Sequence, residues 1–282
     1  MSHPSHEPAG EWWRDQVAAL HRWGRLVLRD EDDSVHQMRV TVRRLRSVLA
    51  TYRRFLDPAR TEPLREELKW LAGLLGEVRD TEVLRARLRR WAAEHGPGPT
   101  AVDALRTALA ERQAQGRARL LPELEGERYR SLTAALAAPG GLPWSDGTAG
   151  KKALRKRIRR AWRRLAAAVD AAELADGAGE RRQQLHEVRK KAKRTRYAAE
   201  SLHELFGEDA ERLAAAAKKV QSTLGDLNDA AVTIRTIDTV PGPDDALREL
   251  RAAEEAAADD AEERFASAWK KANRSKVHGW LG

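Results

Sequence analysis

In VHQMRVTVRRLRSVLATYRRFL, residues 35–56, one histidine and six arginines stand among apolar positions, with no acidic residue. Far downstream, LHEVRKKAKRTRYAAESL, residues 185–202, sets one histidine among three arginines and three lysines. A guanidinium donates through a planar fork that fits phosphate or carboxylate oxygens, and charge-assisted bonds of this kind are the stronger ones. The chemistry open to these side chains is capture of an anion. Metal binding is not expected of the two histidines: there is no H-E-x-x-H, and the nearest neighbours of both are cations that would repel a metal. A lone helical histidine is more often structural than a ligand. Here each one opens a cationic stripe near the start of a helix, where backbone N–H groups are free to meet an anion.

The element that positions the first set is a helix. At about 100° per residue, with His36 at zero, Arg39, Arg43 and Arg46 fall near 300°, 340° and 280°. Val42, Leu45, Leu49, Tyr52 and Leu56 gather on the opposite side, so the helix has one apolar face and one cationic stripe. SVHQ reads as a capping box, with Ser34 as N-cap and Gln37 three residues on, and the preceding DEDD complements the helix dipole. In the second set His186, Arg189, Lys193 and Arg196 share a stripe, flanked by Lys190 and Arg194. Like charges at i, i+4 cost about 0.2–0.5 kcal/mol per pair, and an ordinary solvated face avoids this by mixing Glu with Lys.

The two sets are related. His36 matches His186 at an offset of 150 residues, and Arg39, Arg43, Arg44 and Arg46 match Arg189, Lys193, Arg194 and Arg196. LKWLAGLLGEVRDTEVL (68–84) aligns with AKKVQSTLGDLNDAAVT (217–233) at an offset of 149, pairing Lys69 with Lys218, Gly76 with Gly225 and Asp80 with Asp229. The reading is an internal duplication of an all-helical unit about a pseudo-two-fold axis. Gly76 and Gly225 are read as helix ends, with Asp80 and Asp229 capping or pairing within the next helix; magnesium ligation is the alternative use of these aspartates.

Strand patterns are poor, and Ala, Leu, Arg and Glu run in long stretches between Gly/Pro clusters. Helices are expected near 11–29, 34–56, 61–76, 79–95, 99–137, 149–173, 177–206, 208–225, 227–238 and 243–275. APGGLPWSDGTAG (138–150) divides two helical repeats, 11–137 and 151–275; residues 1–10 read as a flexible terminus and 276–282 as a tail.

The chain has 282 residues, net charge +9 and a pI near 10.0, which favours polyanionic partners. It has no cysteine, so disulfide and thiol chemistry are excluded and a reducing cytoplasm fits. No long apolar run predicts a membrane span, and MSHPSHEPAG does not read as a secretion signal.

VHQMRVTVRRLR and LHEVRKKAKRTRY, with LLGEVRD and TLGDLND, resemble the paired signature segments of CHAD domains, the conserved-histidine α-helical domains. The resemblance runs from residue 11 to 275. It implies an all-α fold of two helical bundles related by pseudo-symmetry, with a basic groove where they meet. It implies binding of inorganic polyphosphate and, as in several bacteria, residence on polyphosphate granules. Carried over residue by residue, the ligand face is His36, Arg39, Arg43, Arg44 and Arg46 with His186, Arg189, Lys190, Lys193, Arg194 and Arg196. Lys69 and Lys218 are further candidates. So are Lys152, Arg155 and Arg159 in KKALRKRIRRAWRRL (151–165), a segment that reads equally as a surface helix for nucleic acid or anionic lipid. The family is often fused to a triphosphate tunnel domain with an E-x-E-x-K signature. None is found here, so a stand-alone module is expected.

The rival reading is a nucleic-acid backbone binder. Single-strand binders interleave aromatics with basic residues, whereas aromatics are 5% here and none lies on the stripes. The nine tryptophans are scattered and read mostly as core. A polyphosphate-processing enzyme is the weaker alternative: no P-loop is present, and no catalytic residue, metal or cofactor is expected.

Overall fold

A computed structural model describes residues 7–95, 100–145, 150–240 and 245–282. The first half comprises α1 (Glu7–Leu28), α2 (Ser34–Tyr52), α3 (Pro58–His95), α4 (Thr100–Glu125) and α5 (Glu127–Leu136). The second comprises α6 (Lys151–Glu173), α7 (Ala178–Glu200), α8 (His203–Ile237), α9 (Asp245–Ala272) and the one-turn α10 (Ser275–His278). Among the described residues there is no strand, only an isolated antiparallel bridge between Leu56 and Trp144. Sequential helices pack as neighbours within each half, and the halves meet chiefly through α2 with α7, α3 with α8 and α4 with α9.

Patterning explains the long helices. In α3, Leu64, Leu68, Leu71, Leu75, Val78, Leu84, Leu88 and Trp91 keep one face buried across the whole element. That continuous stripe carries the helix straight through Gly76, so the expected helix end there does not occur. Gly225 is likewise interior to α8, whose real irregularity is at Gly207, with φ 55° and ψ −141°. Between α4 and α5 the break falls at Gly126, inside the span expected as one helix.

The capping expectation at α2 also needs correcting. Ser34 is a buried residue of the helix itself, and the cap is Asp33, held in the left-handed region at φ 57°. Gln37 reaches back to Asp33, its Nε2 donating to Oδ2 at 2.7 Å.

One hydrophobic core passes through both halves, with Trp13, Leu20, Leu45, Leu49 and Leu71 from the first and Ile158, Leu165, Val188, Leu213 and Val220 from the second. Each such side chain contributes about 1.5–3 kcal/mol. A smaller core joins the far ends of α3 and α4 to α8 and α9 through Leu88, Trp91, Val102, Ile237 and Leu250. Beside it the partly buried Arg87 forks onto the buried Glu254, with Nε 2.9 Å from both carboxylate oxygens.

The described part of 138–150 is tied to the turn after α2. The Asp57 N–H donates to the Pro143 carbonyl at 3.0 Å, and the Ser145 N–H to that of Phe55 at 2.9 Å. Residues 146–149 lie outside the described residues, as do 1–6 of the terminus read as flexible; residues 7–10 belong to α1. The tail folds back, burying Val277 and Leu281 and stacking His278 on Trp162 at 4.7 Å.

Candidate anion-binding site

The site starts from α2 and α7, which lie side by side with rising registers. Near their C-terminal ends the Tyr52 hydroxyl lies 2.9 Å from Ser201 Oγ and donates to the Ala198 carbonyl at 3.3 Å. One and two turns earlier the stripes face each other. Lys193 is desolvated and surrounded by Arg43, Arg189, Arg46 and Arg194; burial first, then these charges, push its ammonium down to about 7. Arg189 is pulled below its ordinary value by burial and then by Arg43, with Asp229 opposing and Arg39 adding to the effect. Five cations from two distant segments, Arg39, Arg43, Arg46, Arg189 and Lys193, therefore share one electrostatic neighbourhood.

Donors in this neighbourhood lack partners. The buried Nε atoms of Arg43 and Arg189 and the hydroxyl of fully buried Tyr197, which acts electrostatically on Arg189, make no hydrogen bond among the described residues. A buried unpaired donor costs about 1–3 kcal/mol, more when charged, so this neighbourhood carries an uncompensated polar burden.

The histidines sit at the margins. His36 is lowered by burial and by Arg79, against Asp33, with Arg43 and Arg39 adding. His186 is lowered by burial and by Lys190 and Arg189, while Glu187 and a hydrogen bond with Asn228 oppose the shift. Arg79 and Asn228, at corresponding positions of LLGEVRD and TLGDLND, are thus neighbours of the two histidines that the stripe pattern alone missed; the paired segments held the signal.

The arginines pass close by the glycines inside α3 and α8. A Cβ on Gly76 would stand 4.0 Å from Arg39 Nη2, and one on Gly225 would stand 3.8 Å from Arg189 Nε. Asp80 accepts from Arg39 Nη1 at 2.7 Å, whereas Asp229 is raised by burial and countered by Asn228 and Arg189. Asp80 thus pairs across to α2 rather than within its own helix, and since α3 and α8 run through both glycines neither aspartate caps a following helix. Among the described residues no group of three or more His, Cys, Asp or Glu could hold a metal ion.

Other expected site residues point elsewhere. Arg44 and Arg196 both pair with Glu200, at 3.3 and 2.6 Å, tying α2 to α7. Lys190 pairs with Glu187 at 2.6 Å and Lys69 with Glu66 at 3.3 Å. Lys218 lies with Arg44 in a cleft between α1, α2, α7 and α8. Arg194 opens into a second cleft, between α2, α6 and α7. On α6, Lys152 is exposed, Arg155 lies over the Phe206 ring at 5.6 Å, and Arg159 donates to the Gly282 carbonyl. These three share the side of α6 away from that second cleft, which takes Arg157, Arg160 and Arg164 instead. Helical phase within KKALRKRIRRAWRRL separates the two triplets.

The CHAD domain family's sequence pattern matches residues 11–238, and the chain belongs to that family. It is 34% identical over 241 residues to uncharacterized proteins MT2285 and Rv2226 of two Mycobacterium tuberculosis strains; the match covers 82% of this chain and 45% of theirs. The chain therefore spans under half the length of these relatives. The fold is similar to that of PptA from Streptomyces chartreusis, with TM-score 0.74 and 20% identity over 95% of this chain and 100% of the other. It is also similar to the crystal structure of the CHAD domain from the plant Ricinus communis, with TM-score 0.66 and 23% identity over 99% and 91%.

Proposed function

We propose that this chain binds inorganic polyphosphate along a basic groove centred on α2 and α7, and that its halves are two copies of one helical unit. The observation that carries the reading is the convergence of Arg39, Arg43, Arg46, Arg189 and Lys193, with donors of Arg43 and Arg189 unpartnered. A flexible chain of phosphates offers a row of anionic oxygens and no bases to stack. It suits a site built from forked cations rather than aromatic platforms. Duplication is supported by the matching approaches of Arg39 to Gly76 and Arg189 to Gly225, and by packing of like with like across the halves. Tethering at polyphosphate granules follows from the same site. Binding without turnover is the reading for the two aspartates matched between the halves, since Asp80 accepts from Arg39 and Asp229 lies under the charge of Arg189.

The test is calorimetric titration with polyphosphate in EDTA, followed by competition with single- and double-stranded DNA of matched charge at several salt concentrations. Binding that survives chelation and outcompetes DNA is expected. Loss on chelation overturns direct cation–anion capture, stronger binding to DNA gives the groove to nucleic acid, and steady release of orthophosphate in magnesium makes the protein an enzyme.

A further inference from the structure

The second cleft is a cavity of about 390 Å³ at the C-terminal end of α2. Arg53 and Arg54 come from the turn after α2, and Arg157, Arg160 and Arg164 from α6. Lys191 and Arg194 of α7 complete its charged lining, in which there is no carboxylate. Two of the seven have acidic partners beyond the lining: Arg53 pairs with Glu62 at 3.0 Å and Lys191 with Glu187 at 3.4 Å. Arg157 is pulled down by burial and then by Arg160, Arg54 and Arg164, with no carboxylate opposing, and its guanidinium lies over the Phe55 ring at 5.1 Å.

A cleft of similar volume, about 380 Å³, occupies the corresponding place in the other half. At an offset of 150 residues, Ala50, Arg53 and Arg194 of the first correspond to Glu200, His203 and Arg44 of the second. There Glu200 and Glu211 join the lining, and Glu200 neutralises Arg44. Equivalent positions thus differ in electrostatics: one mouth attracts anions less because carboxylates balance its cations, and the other concentrates cations.

The basic cleft neighbours the central site. Arg194 lines the cleft and also acts electrostatically on Lys193. Along α2 the stripe of Arg39, Arg43 and Arg46 continues at helical spacing through Ala50 to Arg53 and Arg54.

We infer that the α2–α6–α7 cleft is a second polyphosphate subsite, which takes the part of a long chain that leaves the central groove on this side and not on the other. The inference rests on the polyphosphate reading above. An aromatic platform for bases is lacking in the cleft, since Phe55 is capped by Arg157. A phosphate chain therefore fits it better than a nucleic acid.

The experiment compares tripolyphosphate with a polyphosphate of several tens of units, on wild type and two variants. The first variant replaces Arg54, Arg157, Arg160 and Arg164 by Gln. The second, Ala161→Glu, places a carboxylate among the α6 arginines, where i+3 and i−4 pairing keeps the helix intact. Both are expected to bind tripolyphosphate within about twofold of wild type. Long-chain affinity should fall at least about tenfold, and the Gln variant's log–log salt slope should flatten by up to about 3. Melting temperatures without ligand confirm folding. Unchanged long-chain binding, or an equal loss for both lengths, overturns the subsite while leaving the central site in place. A loss confined to single-stranded DNA assigns the cleft to nucleic acid and also overturns it. Absence of any polyphosphate binding by wild type instead removes the reading on which the inference rests.

Discussion

Lys193 faces Arg43, Arg189, Arg46 and Arg194, and its ammonium titrates at about 7 rather than at its ordinary 10.5. Between those values the unfolded chain holds a proton that the folded chain has lost, so ligand-free stability rises with pH across that window. On the proposed function, polyphosphate binding is expected to run the opposite way: the anion would recharge Lys193, proton uptake would accompany binding, and affinity would fall as pH climbs through the same range. Thermal melts and titrations across the window check both signs, and Lys193→Met is expected to flatten both profiles. His36 and His186 are lowered from 6.5 and titrate on the acid side, outside this window. Tyr197 makes a companion case. Removing its unpartnered hydroxyl in Tyr197→Phe should raise ligand-free stability by about 1 kcal/mol while weakening polyphosphate binding. Unchanged affinity would make the hydroxyl a purely internal defect.

At the scale of elements, the proposed function makes α2 and α7 two walls of one site. Replacing Arg43 and Arg46 by Gln, or Arg189 and Lys193 by Gln, should weaken binding at unchanged stoichiometry and flatten the salt slope by about 1.4 in each case. Calorimetry showing half the stoichiometry with normal affinity would mean two independent sites. Arg196 is left out because Glu200 holds it. Gly76 offers a test of the α3 packing. Gly76→Ala should stabilise the helix by up to about 1 kcal/mol with binding kept, since its Cβ meets Arg39 at an ordinary 4.0 Å. Gly76→Leu should displace Arg39 and weaken binding. Much of this was legible from residue spacing. The 3.6-residue phase separated Val42, Leu45, Leu49 and Tyr52, all fully buried, from the arginines. What the pattern could not supply was partner choice. Glu200 holds Arg196 at i, i+4, which the spacing contained, but it reaches Arg44 only because α2 packs against α7, which one-dimensional spacing does not reveal. The run through Gly76 was misread because a glycine's local cost, about 1 kcal/mol, is outweighed by the buried leucines on either side.

For the whole molecule, the Arg87–Glu254 pair fastens the far ends of the halves beside the smaller core. Glu254→Ala leaves a largely buried guanidinium uncompensated and should cost about 3–5 kcal/mol in denaturant unfolding. Polyphosphate at a hundredfold excess over Kd should restore about 2.7 kcal/mol, read as a rise in Tm. The same fastenings have a consequence in time. Tyr52 meets Ala198 across 146 residues and Ser201 across 149, and Arg87 meets Glu254 across 167. Contacts so far apart in the chain are slow to form. At ribosomal speed, α2 is complete on the order of ten seconds before α7 has been made. Throughout that interval Tyr52 has no Ser201 and Arg87 no Glu254, while the cationic stripe of α2 stands without its opposite wall. Joining the halves is then the late event of folding, opposed by the mutual repulsion of two basic helices. A polyanion present at that moment would screen the repulsion and hasten the joining, so on the proposed function the same polymer that the finished protein binds would also serve as its assembly aid.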